Sequence, residues 1–469
     1  MLFLIVLYVL LQIALAVWAG RGAKSDTDYL VAGRSLGTFG IAMSLFATWF
    51  ATESLIATSS EVAAQGLAGA RAEPFAYAAG LIGIGLLVAR RLRAGGFITL
   101  ADFLKSRFGP GAEALAAVVI AISATVWSAA QLFAFATIIT DASGIGFLPA
   151  LIAASLLVMT YTLFGGLAGD VLTDIVQGVV ILAAILILFA LMIDAAGGAG
   201  AMWAAAPPQV WSFTAPGETW MDRAELWLIP IVGTMVSQEA LARALGAKSP
   251  EIARRGTLLG AGIYLAAGLV PVGFGLFGPQ LAPVLGVSLP ADETFLPSLA
   301  EALLPPWLMI LFTGALVSAI LSSVDSALLT VSGVVTESGF RRLRPDASPL
   351  TTLRAARLAT VGAAAAAAWL ASQGESIRDL VFASGAIGAV LAVPIVVGLA
   401  GWSRSGRAAL ASMGLQIAVL GVLDWTYGVP GAFLWMLGAG AAGFAAAELA
   451  ERLAAGGARN QDDAGHARS

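Results

Sequence analysis

The sequence predicts an all-α polytopic membrane protein of about thirteen spanning helices. Three observations carry this. Of the 469 residues, 59% are hydrophobic and 12% charged, against about 25% charged in soluble domains. Apolar runs of spanning length, about 20 residues, recur along the whole chain. The basic residues also gather in alternate connecting segments, as the positive-inside rule requires.

Taken in order, the first run, 1–20, has no basic leader and no small-residue cleavage site, so it is expected to remain as a helix. Run 36–66 is long with a polar centre, and 73–92 follows it. Segment 97–108, FITLADFLKSRF, reads as a short amphipathic helix on the inner surface. Runs 112–139, 146–164 and 167–195 come next, then a loop (196–225) rich in Trp, Pro and acids. Run 226–245 contains Pro230 and Gly233 and can unwind. After 256–278 and a second long loop (279–305) come 306–337, 350–372, 376–400, 406–424 and 430–451. Residues 1–452 are expected to form one transmembrane domain, and 453–469 a disordered cytoplasmic tail. An odd number of spans puts the termini on opposite sides. With the N-terminus outside and the C-terminus inside, all of the 25 basic residues except Arg71, Arg223 and Arg378 fall inside. The implied setting is the plasma (inner) membrane, with the bilayer as the partner.

Composition also excludes several chemistries. There is no cysteine, and the one histidine, His466, lies in the polar tail. Disulfides, thiolate metal sites, histidine metal clusters and a Ser/His/Asp triad are not expected. No enzyme, no cofactor, no nucleic-acid partner and no obligatory protein partner is implied.

The polar residues inside apolar runs carry the functional signal. A carboxylate at the centre of a spanning helix costs about 2.5–3.5 kcal/mol on insertion scales. Polar groups at that depth face the bundle interior and mark ion or substrate paths. In 312–339, Ser318, Ser322, Ser326 and Thr330 recur every fourth residue, with Asp325 among them. That period puts them on one face. In 36–66, Ser44, Thr48 and Thr52 form a similar line beside Glu53, and Trp49 lies four residues before Glu53, where it can shield the carboxylate. Run 167–195 opens with Asp170, Asp174 and Gln177 on one face. Asp170 suits a helix N-terminus. Run 226–245 holds Ser237, Gln238 and Glu239, and Glu239 lies one turn from Arg243, where an ion pair is expected. Trp127 and Gln131 share a face of 112–139.

Read in order, these residues resemble the sodium:solute symporter family. YTLFGGLAGDVLTDIVQ (161–177), SAILSSVDSALLT (318–330), TLADFLKSRFG (99–109) and ARALGAKS (242–249) are similar to its signatures. The resemblance implies a LeuT-like 5+5 inverted repeat, 36–195 and 226–400. One extra helix precedes it, and two peripheral helices (401–452) follow. It implies a substrate site between the broken helices 36–66 and 226–245, for which Thr48, Trp49, Thr52, Glu53, Trp127, Gln131, Ser237 and Gln238 are candidates. It implies a sodium site from the carbonyls of Ala47, Phe50 and Ala319 and the hydroxyls of Ser322 and Ser323. A second cation or proton site would use Asp174, Asp325 and Ser326, where Asp325 replaces the serine or alanine of better-known members. Trp49 and Ala51 stand where the proline transporters carry aspartate and serine, which argues against proline. Ser237 and Glu239 argue against a sugar. The implied function is Na⁺-coupled import of a small organic solute by alternating access. Glu53 beside Trp49 favours an amine-bearing or cationic solute. A proton-coupled carrier, and a solute sensor or channel retaining the fold, stay open as alternatives.

Overall fold

The computed structural model describes residues 2–21, 25–373 and 376–466. Lys24 and Arg468, counted above among the inside charges, and residues 467–469 of the tail lie outside them. Among the described residues every element is helical, apart from one parallel bridge between Leu36 and Ala247. Seven helices are long and apolar enough to cross a membrane. The count becomes eight if the pair Ile377–Ala389 and Ala392–Ala400, bent by 40°, is one span. Shorter apolar helices at Leu10–Gly20, Thr38–Trp49 and Phe147–Thr160 account for three more of the predicted runs. The helices Trp220–Met235 and Pro349–Ala371 cover two others. Every predicted run therefore coincides with described helix.

Two runs are interrupted where sequence polarity marks them. The first helix ends at Trp49, and Phe50 leaves helical geometry at φ −85, ψ 64. Helix resumes at Glu53 and continues to Gln65. The second ends at Met235, and Ser237, at ψ 131, caps the next helix, Gln238–Leu245, by accepting from the Ala240 N–H at 3.3 Å. Ser is a favoured N-cap because its oxygen satisfies an orphan N–H. After each interrupted helix the chain adds four more. In the first half these are the stretch reaching Ala94, Pro110–Ser143 and the two parts of Phe147–Ala195 divided at Gly166. Gly166 takes φ 57, and a Cβ there would fall 2.7 Å from the Tyr29 ring. Left-handed backbone under close packing is a position for glycine. The second half adds Pro250–Phe277, Pro306–Val334, Pro349–Ala371 and the bent pair.

Helix Pro250–Phe277 shows how the first half folds back. Its Gly256 and Gly260 meet Ile41 and Ala42, and Gly275 meets Ser59 and Val62. Its Gly268 meets Pro74, and Leu258 meets Gly85. The chain thus climbs along this helix from Ile41 to Val62 and returns from Pro74 to Gly85. Small residues permit such backbone approach where lipid offers no hydrophobic drive between helices. At the centre, Pro306–Val334 is buried at every residue from Phe312 to Val334. It packs against Pro110–Ser143, Phe147–Ala195, Thr38–Trp49 and Pro349–Ala371. Its hydroxyl stripe consequently faces protein on all sides.

The segment expected to be a short amphipathic helix forms the helix Leu100–Phe108, closed by a Thr99/Asp102 capping box, with Leu100, Phe103 and Leu104 buried against the bundle. One expectation changes. The last helix runs Ala432–His466, through most of the tail expected to be disordered. The alanines of that run favour helix over coil.

The glycine contacts are testable. Gly275→Val would place its Cβ 2.5 Å from the Val62 Cβ, and should lower stability by about 1–3 kcal/mol through overpacking. Gly262→Ala, with open space around it, should leave the midpoint of thermal unfolding in detergent unchanged or raise it.

Candidate functional site

The interrupted helix Thr38–Trp49 meets the central helix end to side. Ser322 Oγ donates to the Ala47 carbonyl at 2.7 Å, and Ser323 Oγ donates to the Thr48 carbonyl at 2.7 Å. Both hydroxyls also lie close to the Ala319 carbonyl, at 3.1 and 3.0 Å. All five residues are buried. The helix break is what makes this possible. Carbonyls in the last turn of a helix have no intrahelical donor, so those of Ala47 and Thr48 are available to a partner. Phe50 forms the cap of the same turn. Ala47, Thr48, Ala319, Ser322 and Ser323 thus meet at one junction. Oxygen dipoles without formal charge are the donor set that a hard monovalent cation takes.

One turn along the central helix, two of the three candidates for a second cation site, Asp174 and Ser326, already contact a cation. Arg243, 1% exposed, extends its guanidinium from helix Gln238–Leu245 into the core. Its Nη2 donates to Asp170 Oδ2 and Thr48 Oγ1 at 2.7 Å each, to Asp174 Oδ2 at 3.3 Å, and to Ser326 Oγ. Its Nε donates to Ser44 Oγ at 3.1 Å, and Ser44 in turn donates to Asp174 Oδ2 at 2.5 Å. Asp325 is buried beside this cluster and accepts the Ser326 N–H at 2.8 Å. Among the described residues the Glu239–Arg243 ion pair suggested by their spacing does not form. Arg243 gives Nη1 to the Glu239 carbonyl at 2.9 Å, because its charged end is claimed by the two aspartates. Asp170 is likewise a buried ion-pair partner rather than only a helix-terminal charge. Planar guanidinium geometry suits such multi-acceptor sites better than an ammonium would.

The space between the two helix breaks is a small cavity of about 50 Å³, below the usual range for small-ligand sites, so a solute enters it only as the walls part. Trp49, Glu53, Trp127, Ser237 and Gln238 line it, together with Glu73, Tyr77, Thr234 and Glu239. Glu53 is held in place by the Trp127 Nε1–H at 3.2 Å and the Gln131 amide at 2.9 Å. Trp49 does not cover Glu53 along one helix, since the break intervenes. It packs instead on Trp127, with ring centroids 5.4 Å apart. Thr52 donates to Gln131 Oε1 at 3.4 Å, one step behind the wall. Thr48 turns its hydroxyl to Arg243 and away from the cavity. Gln238 is tied to the inner segment, accepting from the Leu100 N–H at 2.7 Å.

Sequence reasoning missed Arg243, Glu73 and Tyr264. Glu73 accepts from Ser54 at 3.0 Å and from the Tyr264 hydroxyl. Its signal was an acid at the start of an apolar run. Arg243 sat in a segment read as an inner-loop pattern, so its burial was not visible.

The sodium:solute symporter family model matches residues 29–415. The sodium/pantothenate symporter of Escherichia coli is 25% identical over 90% of this chain and 91% of its own length. The high-affinity choline transporter 1 of Drosophila melanogaster is 26% identical over 76% of this chain, which spans 59% of that relative's length. The solved structure of a Na⁺-coupled sialic acid symporter, substrate-bound and outward-open, has the same fold. It superposes with a TM-score of 0.79 over 95% of both chains, at 17% identity.

Removing the guanidinium strands two buried carboxylates. Arg243→Met is expected to lower stability by about 3–5 kcal/mol, with Arg243→Lys in between, read by thermal unfolding of the purified protein. An unchanged midpoint for Arg243→Met would mean that this network is not structural.

Proposed function

The chain belongs to the sodium:solute symporter family, and on that premise we propose that it imports a small amine-bearing or cationic solute together with one Na⁺, by alternating access. As a family of transporters, it places the chain in the multi-pass plasma (inner) membrane class, with no catalytic role. The observation that carries the sodium assignment is the pair of hydroxyl–carbonyl contacts from Ser322 and Ser323 to the end of the broken helix. When Na⁺ enters, the hydroxyls turn their protons away and present oxygen. The ion is then held by the carbonyls of Ala47, Phe50 and Ala319 and by the two hydroxyls. Dipoles replace the water that the ion gives up, and its charge joins two helices from opposite repeats.

The single-ion stoichiometry rests on Arg243. Its guanidinium occupies the space among Asp174, Asp325 and Ser326 that a second ion would need. The amine preference rests on the cavity wall, where Glu53 faces the solute beside two tryptophans, an arrangement that holds ammonium groups by charge and cation–π contact. The choline transporter among the relatives supports a quaternary or protonated amine. The thirteen-span arrangement with the N-terminus outside is supported by the distribution of basic residues. In that orientation, Arg378 and Glu61, 2.5 Å apart, close the outer approach. The Arg243 network closes the inner one.

The energetics suffice. One charge moving through 100 mV releases about 2.3 kcal/mol, and a tenfold Na⁺ gradient adds about 1.4 kcal/mol. Together they sustain accumulation of a neutral solute on the order of 10²–10³-fold, and more for a cation.

Two outcomes test this reading in proteoliposomes. Ser322→Ala with Ser323→Ala should raise the Na⁺ concentration for half-maximal uptake tenfold or more, and wild-type Na⁺ dependence in that double variant would overturn the assignment. Glu53→Gln should weaken binding of an ammonium-bearing solute by at least tenfold, while leaving stabilisation by Na⁺ alone in place.

A further inference from the structure

The cavity wall carries three carboxylates, Glu53, Glu73 and Glu239, and no lysine or arginine. They form two poles on different elements. Glu53 and Glu73 belong to the first half, each satisfied by neighbouring donors, with Trp49, Trp127 and Tyr77 around them. Glu239 belongs to the second broken helix, across the cavity. It is 5% exposed, and among the described hydrogen bonds and ion pairs no side chain donates to its carboxylate. The nearest cation in sequence, Arg243, is spent on Asp170 and Asp174.

A second, independent feature stands beside Glu239. Thr234 Oγ1 is buried and has no hydrogen-bond partner, and Thr234 lines the same cavity. Its Cβ and methyl pack directly on Gly80, so the hydroxyl is directed off that helix. Buried polar groups are ordinarily paired, and each exception needs an explanation. Here a hydroxyl without a hydrogen-bond partner and a carboxylate to which, among the described residues, no side chain donates line one space. They match a donor supplied by the occupant.

Resting on the cationic reading above, we infer that the solute carries two cationic nitrogens, one for each pole. A short linear diamine places one ammonium at Glu53 and the other between Glu239 and Thr234. Its apolar methylenes lie between them along Ile120, Ile229 and Val381. Two positive charges on one solute also answer the charge of the wall, which a single ammonium leaves more negative. A monoamine fills the Glu53 pole and leaves Glu239 unsatisfied, and unpaired buried polar groups are what gives a site its power to reject an incomplete ligand.

The test uses the purified full chain in Na⁺. Binding of 1,4-diaminobutane and 1,5-diaminopentane is compared with that of n-butylamine and n-pentylamine by titration calorimetry. The diamines are expected to bind at least tenfold more tightly. Glu239→Gln should bring the diamine down to the affinity of the monoamine, and Thr234→Val should weaken the diamine several-fold. Stabilisation of both variants by Na⁺, as in the wild type, shows that they are folded with the sodium junction intact. Equal affinity for diamine and monoamine, or equal loss of both in Glu239→Gln, overturns the two-pole site while leaving a cationic solute in place. Binding of neither amine class, with the Na⁺ response preserved, overturns the cationic reading itself.

Discussion

A single buried cation organises the inner half of this molecule. The Arg243 guanidinium gathers Ser44 and Thr48 of the first broken helix, Asp170 and Asp174 of the fifth helix of that repeat, and Ser326 of the central helix. Four separate elements are fixed by one side chain. Removing a buried charge from its partners is far more costly than breaking a surface pair, so these elements separate only together. The same cation also explains why an apolar bundle tolerates three aspartates at one depth.

The junction proposed to hold sodium lies one helical turn from this knot along the central helix and is built from its neighbours. Thr48 belongs to both: its carbonyl meets Ser323, and its hydroxyl meets Arg243. The central helix reads the same way along its stripe. Ser318 bonds the Tyr8 hydroxyl at 2.5 Å, Ser322 bonds the broken helix, and Ser326 enters the Arg243 network. Thr330, whose hydroxyl has no partner, lines a small inner cavity with Arg243 and Ser326. One four-residue period thus meets Tyr8, the broken helix, the Arg243 network and a small cavity in turn.

Much of this was legible in the sequence. Hydrophobic run length located the long apolar helices, because the bilayer fixes that length, but not short ones such as Ala199–Ala205 and Phe295–Leu303 in the connecting segments. Periodic Ser and Thr residues located the central helix, and polar residues at run centres located both breaks, because intramembrane polarity is costly enough to be informative. The partners of the charges were not legible. Glu239 and Arg243 are one turn apart, and local spacing predicted their ion pair. Two aspartates more than sixty residues away in the chain form a stronger, bidentate-capable site for the guanidinium, and tertiary contact overrode the local one. Trp49 and Glu53 show the same limit. Their four-residue spacing has meaning only along a continuous helix, and the break between them passed the role of donor to Trp127. Glu73 and Thr234 became visible only once the two halves enclosed a common cavity.

The central claim is that Arg243 stands where a second ion would sit, so that the protein binds a single Na⁺ at the Ala47–Ser323 junction. Equilibrium binding of ²²Na⁺ to the purified protein measures this without knowledge of the solute. The account predicts saturation at one Na⁺ per chain, with K⁺ failing to compete. Saturation at two Na⁺ per chain, or no saturable binding, would contradict it.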